Sequence, residues 1–184
     1  MPDGAIRIIP IAPRKGSAVP LKKKKALIIA LWLAVLAVAV MIFLFSAQDS
    51  IASMRTSDGL TYWLIRLRVP GYDQLPQKEQ DEILQQYSYV VRKAAHFTEF
   101  ALLGLFLRLL FNALSLRWQF IPAWAAGTLY AATDELHQLL LGTRSGMWQD
   151  VCIDSGGVLF GALIAMGILA LCARWKKKKG AESQ

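Results

Sequence analysis

Apolar positions along this chain run in long unbroken blocks rather than in alternation. Residues 26–45 carry no charged side chain, and twenty such positions are what a helix needs to cross about 30 Å of hydrocarbon. Further apolar blocks cover residues 94–111, 120–141 and 151–173. Each block reads as a spanning helix, so the pattern predicts an all-α, polytopic membrane bundle of four transmembrane helices. A cleaved leader is the rival reading of the first block. Its apolar run is longer than the usual core of about 7 to 15 residues, and a leader of 25 residues precedes it, which favours a retained span.

Between the first and second blocks the polarity changes. Residues 46–86 hold Asp49, Asp58, Asp73, Glu79, Asp81 and Glu82 against Arg55, Arg66, Arg68 and Lys78. An acidic excess between spans is expected on the outer side. Within this outward-facing loop, the stretch from Leu60 to Ile65, with Tyr62 and Trp63, predicts a short helix. It either lies in the membrane interface or packs on the spans. Val69, Pro70 and Gly71 mark a turn, and Pro76 opens a helix that continues through Tyr87 into the second span.

Composition agrees with a membrane protein. Hydrophobic residues make up 55% of the chain and mean hydropathy is +0.37, whereas a soluble domain is usually about 45 to 50% apolar. The net charge of +8 comes largely from lysine blocks at 22–25 and 176–179. Such blocks beside apolar spans are cytoplasmic anchors and do not point to nucleic acid. The expected organisation is a basic, disordered cytoplasmic tail at 1–25, a membrane domain at 26–175 and a basic cytoplasmic tail at 176–184. Cys152 and Cys172 are twenty residues apart, about 30 Å along a helix, and cannot pair with each other.

Charged and polar groups recur at the ends of the spans that this topology turns outward. On a helix Arg92, His96 and Glu99 fall within about 60° of arc, beside Lys93. The third span ends in Asp134-Glu135-Leu136-His137-Gln138, where Asp134, His137 and Gln138 share a face. The fourth opens with Asp150 and Asp154, whose stripe continues through Gly157 and Gly161, a pattern that marks close helix packing. Arg92, Lys93 and Arg144 face a larger set of acids, Glu99, Asp134, Glu135, Asp150 and Asp154. An excess of negative charge suits a metal ion, a shared proton or a protonated histidine. Ionisable groups in spans point to function, because each costs about 2.5 to 3.5 kcal/mol at a helix centre.

These residues resemble the VanZ-like family of membrane proteins, named for a component of a glycopeptide-resistance cluster that gives low-level teicoplanin resistance. The resemblance rests on Phe45-Ser46-Ala47-Gln48-Asp49-Ser50, on the stretch from Arg92 through His96 and Glu99 to Phe100, on Asp134 to Gln138, and on Arg144-Ser145-Gly146 followed by Asp150, Val151 and Asp154. Where the family tends to have Pro-Gly before the arginine, this chain has Gly142-Thr143. The resemblance implies a multi-pass protein of the bacterial cell membrane.

Two functions follow as expectations. In the first, an enzyme-like site at the outer face acts on a lipid-linked or cell-envelope substrate. His96 or His137 is the general base, Glu99 or Asp134 orients it, and Arg92, Lys93, Gln138, Arg144, Asp150 and Asp154 bind substrate. A divalent metal on His96, His137, Glu99 and Asp134 is a variant of this site. In the second, the same cup is a non-catalytic binding or accessory site for a lipid headgroup, an antibiotic or a partner membrane protein.

Overall fold

The computed structural model describes residues 21–47, 50–141 and 148–182, and its regular elements are all helical. Helix α1 is Leu21–Ser46, α2 is Ser50–Arg68, α3 is Gln77–Ala113, α4 is Phe120–Leu141 and α5 is Trp148–Glu182, with a single 3₁₀ turn at Tyr72–Gln74. Three helices, α1, α3 and α5, are long and apolar enough to cross a membrane, with mean hydropathies of 3.1, 1.5 and 2.3. Helix α4, expected as a fourth span, matches its predicted bounds and is about 33 Å long. Its last turns carry Asp134, Glu135, His137 and Gln138, which keep it out of that group of three.

Helix α3 is the hub: it packs on each of the other four helices, most extensively on α5. Small residues make that contact possible. A Cβ on Gly157 would meet the Phe97 carbonyl oxygen at 2.5 Å and one on Gly161 would collide with the Ala101 carbonyl, while Gly104 of α3 lies against the Val158 backbone in return. The glycine stripe therefore faces the bundle as its spacing predicts. Val158 fills the space between Gly104 and Gly127 of α4, and Ile42, Phe100, Leu103 and Ala131 complete the core.

Helices α1 and α4 run in the same direction and touch at three heights. Lys24 Nζ donates to Ser115 Oγ at 3.2 Å just before α4, the Tyr130 hydroxyl donates to the Ala39 carbonyl at 2.6 Å, and the Ser46 hydroxyl donates to Asp134 Oδ2 at 2.7 Å. Helices α3 and α5 run the other way. Phe97 and Ala101 face Gly157 and Gly161 in the same order along both chains.

The predicted short helix at 60–65 is the middle of a 19-residue helix, α2. Thr61 and Ile65 turn inward while Leu60, Trp63 and Leu67 are exposed, so α2 packs on α3 and still presents an apolar stripe. Gly71 at φ 78° lets the chain reverse, and Tyr72 caps the turn by donating to the Gln80 carbonyl at 3.1 Å. Pro76 is the N-cap of α3, one residue before the helix it was expected to open. Both lysine blocks lie on helices, since α1 begins at Leu21 and α5 continues to Glu182. Lysine is a good helix former, so a charge run adjoining an apolar block can extend its helix.

Candidate functional site

Polar residues from four helices meet at the end of the bundle where α1 and α4 finish and α5 begins. The innermost group is a triangle of Ser46, Asp134 and Gln138. The Ser46 hydroxyl donates to Asp134 Oδ2, and Gln138 Nε2 donates to that same oxygen at 2.9 Å and to Ser46 Oγ. All three are buried, Ser46 completely. A buried polar triangle, hydrogen-bonded through Asp134 Oδ2, ties α1 to α4 in a region of low dielectric.

Beside the triangle is a cleft lined by Lys93 and His96 of α3, Glu135 and Gln138 of α4, and Asp150 and Asp154 of α5. Its free volume is about 10 Å³, room for about one water. Lys93 and Asp150 form an ion pair across it, with their side chains 20% and 16% exposed, and the ammonium lies 5.3 Å from the centre of the Tyr89 ring. His96 is 8% exposed and Asp154 5%. One turn inward on α3, Glu99 Oε2 is 3.9 Å from His96 Nδ1, close enough for a charge interaction and longer than a hydrogen bond.

The expected residues divide by neighbourhood. Lys93, His96, Gln138, Asp150 and Asp154 line one cleft, with Glu99 beside His96 and Asp134 behind Gln138. His137 does not line it; its ring stacks on Phe43 of α1 with centroids 4.5 Å apart. Arg92 is half-buried on α3, with its Nη1 enclosed and without a hydrogen-bond partner. Arg144 lies outside the described residues. Among the described residues, no three ligating side chains converge in a way that could hold a metal ion. Of the expected set, His96 and Glu99 lie together, Asp134 is bonded to Gln138 and His137 stacks on Phe43.

Two contributors take places that spacing does not assign. Glu135 enters the sequence reading through the charge balance, although it lies three residues before Gln138 and so on the same side of α4. Ser46 closes an apolar run in the motif that begins at Phe45, and nothing in its spacing points to its partners on α4. A third polar contact, Trp124 Nε1 donating to Ser155 Oγ at 3.0 Å with Thr128 at 2.8 Å from the same hydroxyl, joins α4 to α5.

An all-helical chain with three membrane-length helices and a polar cleft at one end of the bundle is a multi-pass membrane protein. Residues 31–171 match the family model described as VanZ/LLP1, and the chain belongs to that family. No curated protein and no solved structure matches the chain.

Proposed function

We propose that this VanZ/LLP1 protein crosses the membrane four times with both termini cytoplasmic, and that its polar cleft carries out proton-transfer chemistry on a lipid-linked or other cell-envelope substrate at the outer face. The fourth crossing is α4. Its support is the contact with α1 from Lys24 through Ala39 to Ser46, which keeps the two helices side by side over the whole of an apolar span. The orientation rests on the lysine blocks at one end of the bundle and the acid-rich segment 46–86 at the other.

The observation that carries the chemistry is the buried His96 with Glu99 behind it, in a cleft holding acids from two further helices. His96 is the general base and Glu99 orients it. The base takes a proton from a water in the cleft or from a substrate hydroxyl at its mouth, and Arg92 holds a phosphate or carboxylate of the substrate. A space of about one water suits a reacting water with the bulk of the substrate outside. The link to glycopeptide resistance comes from the family resemblance alone.

The test is turnover of a bacterial envelope lipid extract by purified protein in nanodiscs, followed by mass spectrometry, for wild type, His96→Gln and Glu99→Gln. Both variants are expected to lose turnover and to retain co-purified lipid. Turnover equal to wild type in His96→Gln would overturn the acid–base reading. Lipid retention without turnover in any form would favour the binding or accessory role instead. Teicoplanin tolerance of cells expressing the same variants reads the resistance link. A reporter fused after Lys179 and impermeant labelling of a cysteine replacing Asp58 or Lys78 read the orientation, which is reversed if the cysteine reacts only after lysis.

A further inference from the structure

The end of the bundle opposite the cleft is strongly basic, with Glu182 as the one acid of α5 beyond its lysine block. Residues 21–47, 100–133 and 155–181 contain no Asp or Glu. The same segments hold the two lysine blocks with Arg108, Arg117 and Arg174, eleven cations without an anion. Three of them converge on the connection between α3 and α4. Lys24 Nζ donates to Ser115 Oγ, Arg108 Nη1 donates to Gln119 Oε1 at 2.7 Å, and the Arg117 guanidinium lies 6.0 Å from the centre of the Trp118 ring. They come from α1, α3 and the connection itself.

The backbone there is unusual. Among the described residues, Ser115 and Trp118 are the non-glycine residues with positive φ, at 61° and 57°. Left-handed backbone costs such residues energy, most of all a bulky one, and is maintained where its surroundings or function require it. The effect is to present Trp118, 71% exposed, together with Leu114 and Leu116 beside the basic groups. Apolar and aromatic side chains next to guanidinium and ammonium groups, at the end of a spanning bundle, match the headgroup layer of a bilayer. A guanidinium forms forked hydrogen bonds with a phosphate.

We infer that the connection 114–119, with Lys24 and Arg108, is a binding site for the phosphodiester headgroup of an anionic phospholipid, with Trp118 and Leu116 seated at the acyl boundary. The site is separate from the cleft, and its ligand is a structural bilayer lipid rather than a substrate.

The test is native mass spectrometry of the full chain titrated with phosphatidylglycerol or phosphatidylcholine, using wild type, Arg117→Gln, Arg108→Gln and Lys177→Gln. Wild type is expected to bind phosphatidylglycerol in preference. Arg117→Gln and Arg108→Gln should each weaken that preference by about tenfold, as removing a charge-assisted hydrogen bond does. Lys177→Gln, which removes one charge of the same sign from the same end, should leave it nearly unchanged. An equal small loss in all three variants would overturn the site in favour of diffuse charge attraction. Displacement of the lipid by inorganic phosphate would also overturn it, by assigning the pocket to a free anion. A folding control, thermal stability in detergent equal to wild type, ensures that a lost preference reports the site.

Discussion

The Ser46 hydroxyl and the Asp134 carboxylate meet at 2.7 Å, fully enclosed, although 88 positions separate them in the chain. This hydrogen bond fixes the C-terminal end of α1 against α4, immediately behind the cleft. Ser46→Ala keeps the helix and removes the donor, so a cost of about 1 to 3 kcal/mol in stability is expected. Thermal unfolding in detergent would measure it, and an unchanged midpoint would mean that the triangle contributes nothing to holding α1.

Lys93 and Asp150 neutralise each other across the mouth of the cleft, each largely sheltered from solvent. Lys93→Gln leaves Asp150 with Asp154 one turn away and its cation gone. A double-mutant cycle with Asp150→Asn should return a coupling energy of about 1 to 3 kcal/mol. A coupling near zero would identify the pair as a contact without energetic weight.

Gly157 faces a backbone carbonyl rather than a side chain that could rotate away. Gly157→Leu is therefore expected to lower folded yield and stability by about 1 to 3 kcal/mol, the cost of overpacking. Gly167, with nothing within 4 Å of a built Cβ, supplies the comparison. Gly167→Leu should stay within about 0.5 kcal/mol of wild type. Equal losses at both positions would show that close helix approach does not govern the result.

Tyr72 sits in the turn between α2 and α3, outside the spans, and burial raises its hydroxyl above the ordinary 10.0, with Tyr62, Asp81 and Asp73 adding to the shift. A group whose pKa is raised on folding stabilises the folded state below its unfolded value and loses that contribution as pH rises through the folded one. The turn should therefore loosen from about pH 10 upward. Tyr72→Phe should abolish this alkaline step in hydrogen exchange of the α2 and α3 ends; a step that persists would belong to another group.

Much of this architecture is legible in the sequence because helices impose a period. The inward face of α5, with Asp154, Gly157 and Gly161, and the inward placement of His96 follow from spacing alone. Spacing does not say which neighbour a face meets. Asp134, His137 and Gln138 share an arc wide enough that the two ends of it find different partners, so His137 reaches Phe43 while Gln138 reaches the cleft. Ser46 gives no periodic signal, since its partners belong to a helix some ninety positions away. The long α2 was hidden by Ser50, Ser53, Thr56, Ser57 and Gly59, residues that favour turns in isolation and are overruled when the helix gains a packing surface on α3.

On α5 the positions 150, 154, 157 and 161 form a ladder whose two outer rungs are acids and whose two inner rungs are glycines. On α3 the facing positions are Lys93, Phe97 and Ala101. Sliding one helix past the other by a single turn, about 5.4 Å, would move Asp150 off Lys93 and drive a larger side chain into the carbonyl that Gly157 or Gly161 accommodates. Only one alignment satisfies both kinds of rung. The electrostatics of the cleft and the apolar seam beneath it are thus set by the same vernier, so the depth at which Asp154 stands beside His96 is fixed by backbone contact rather than by side-chain choice.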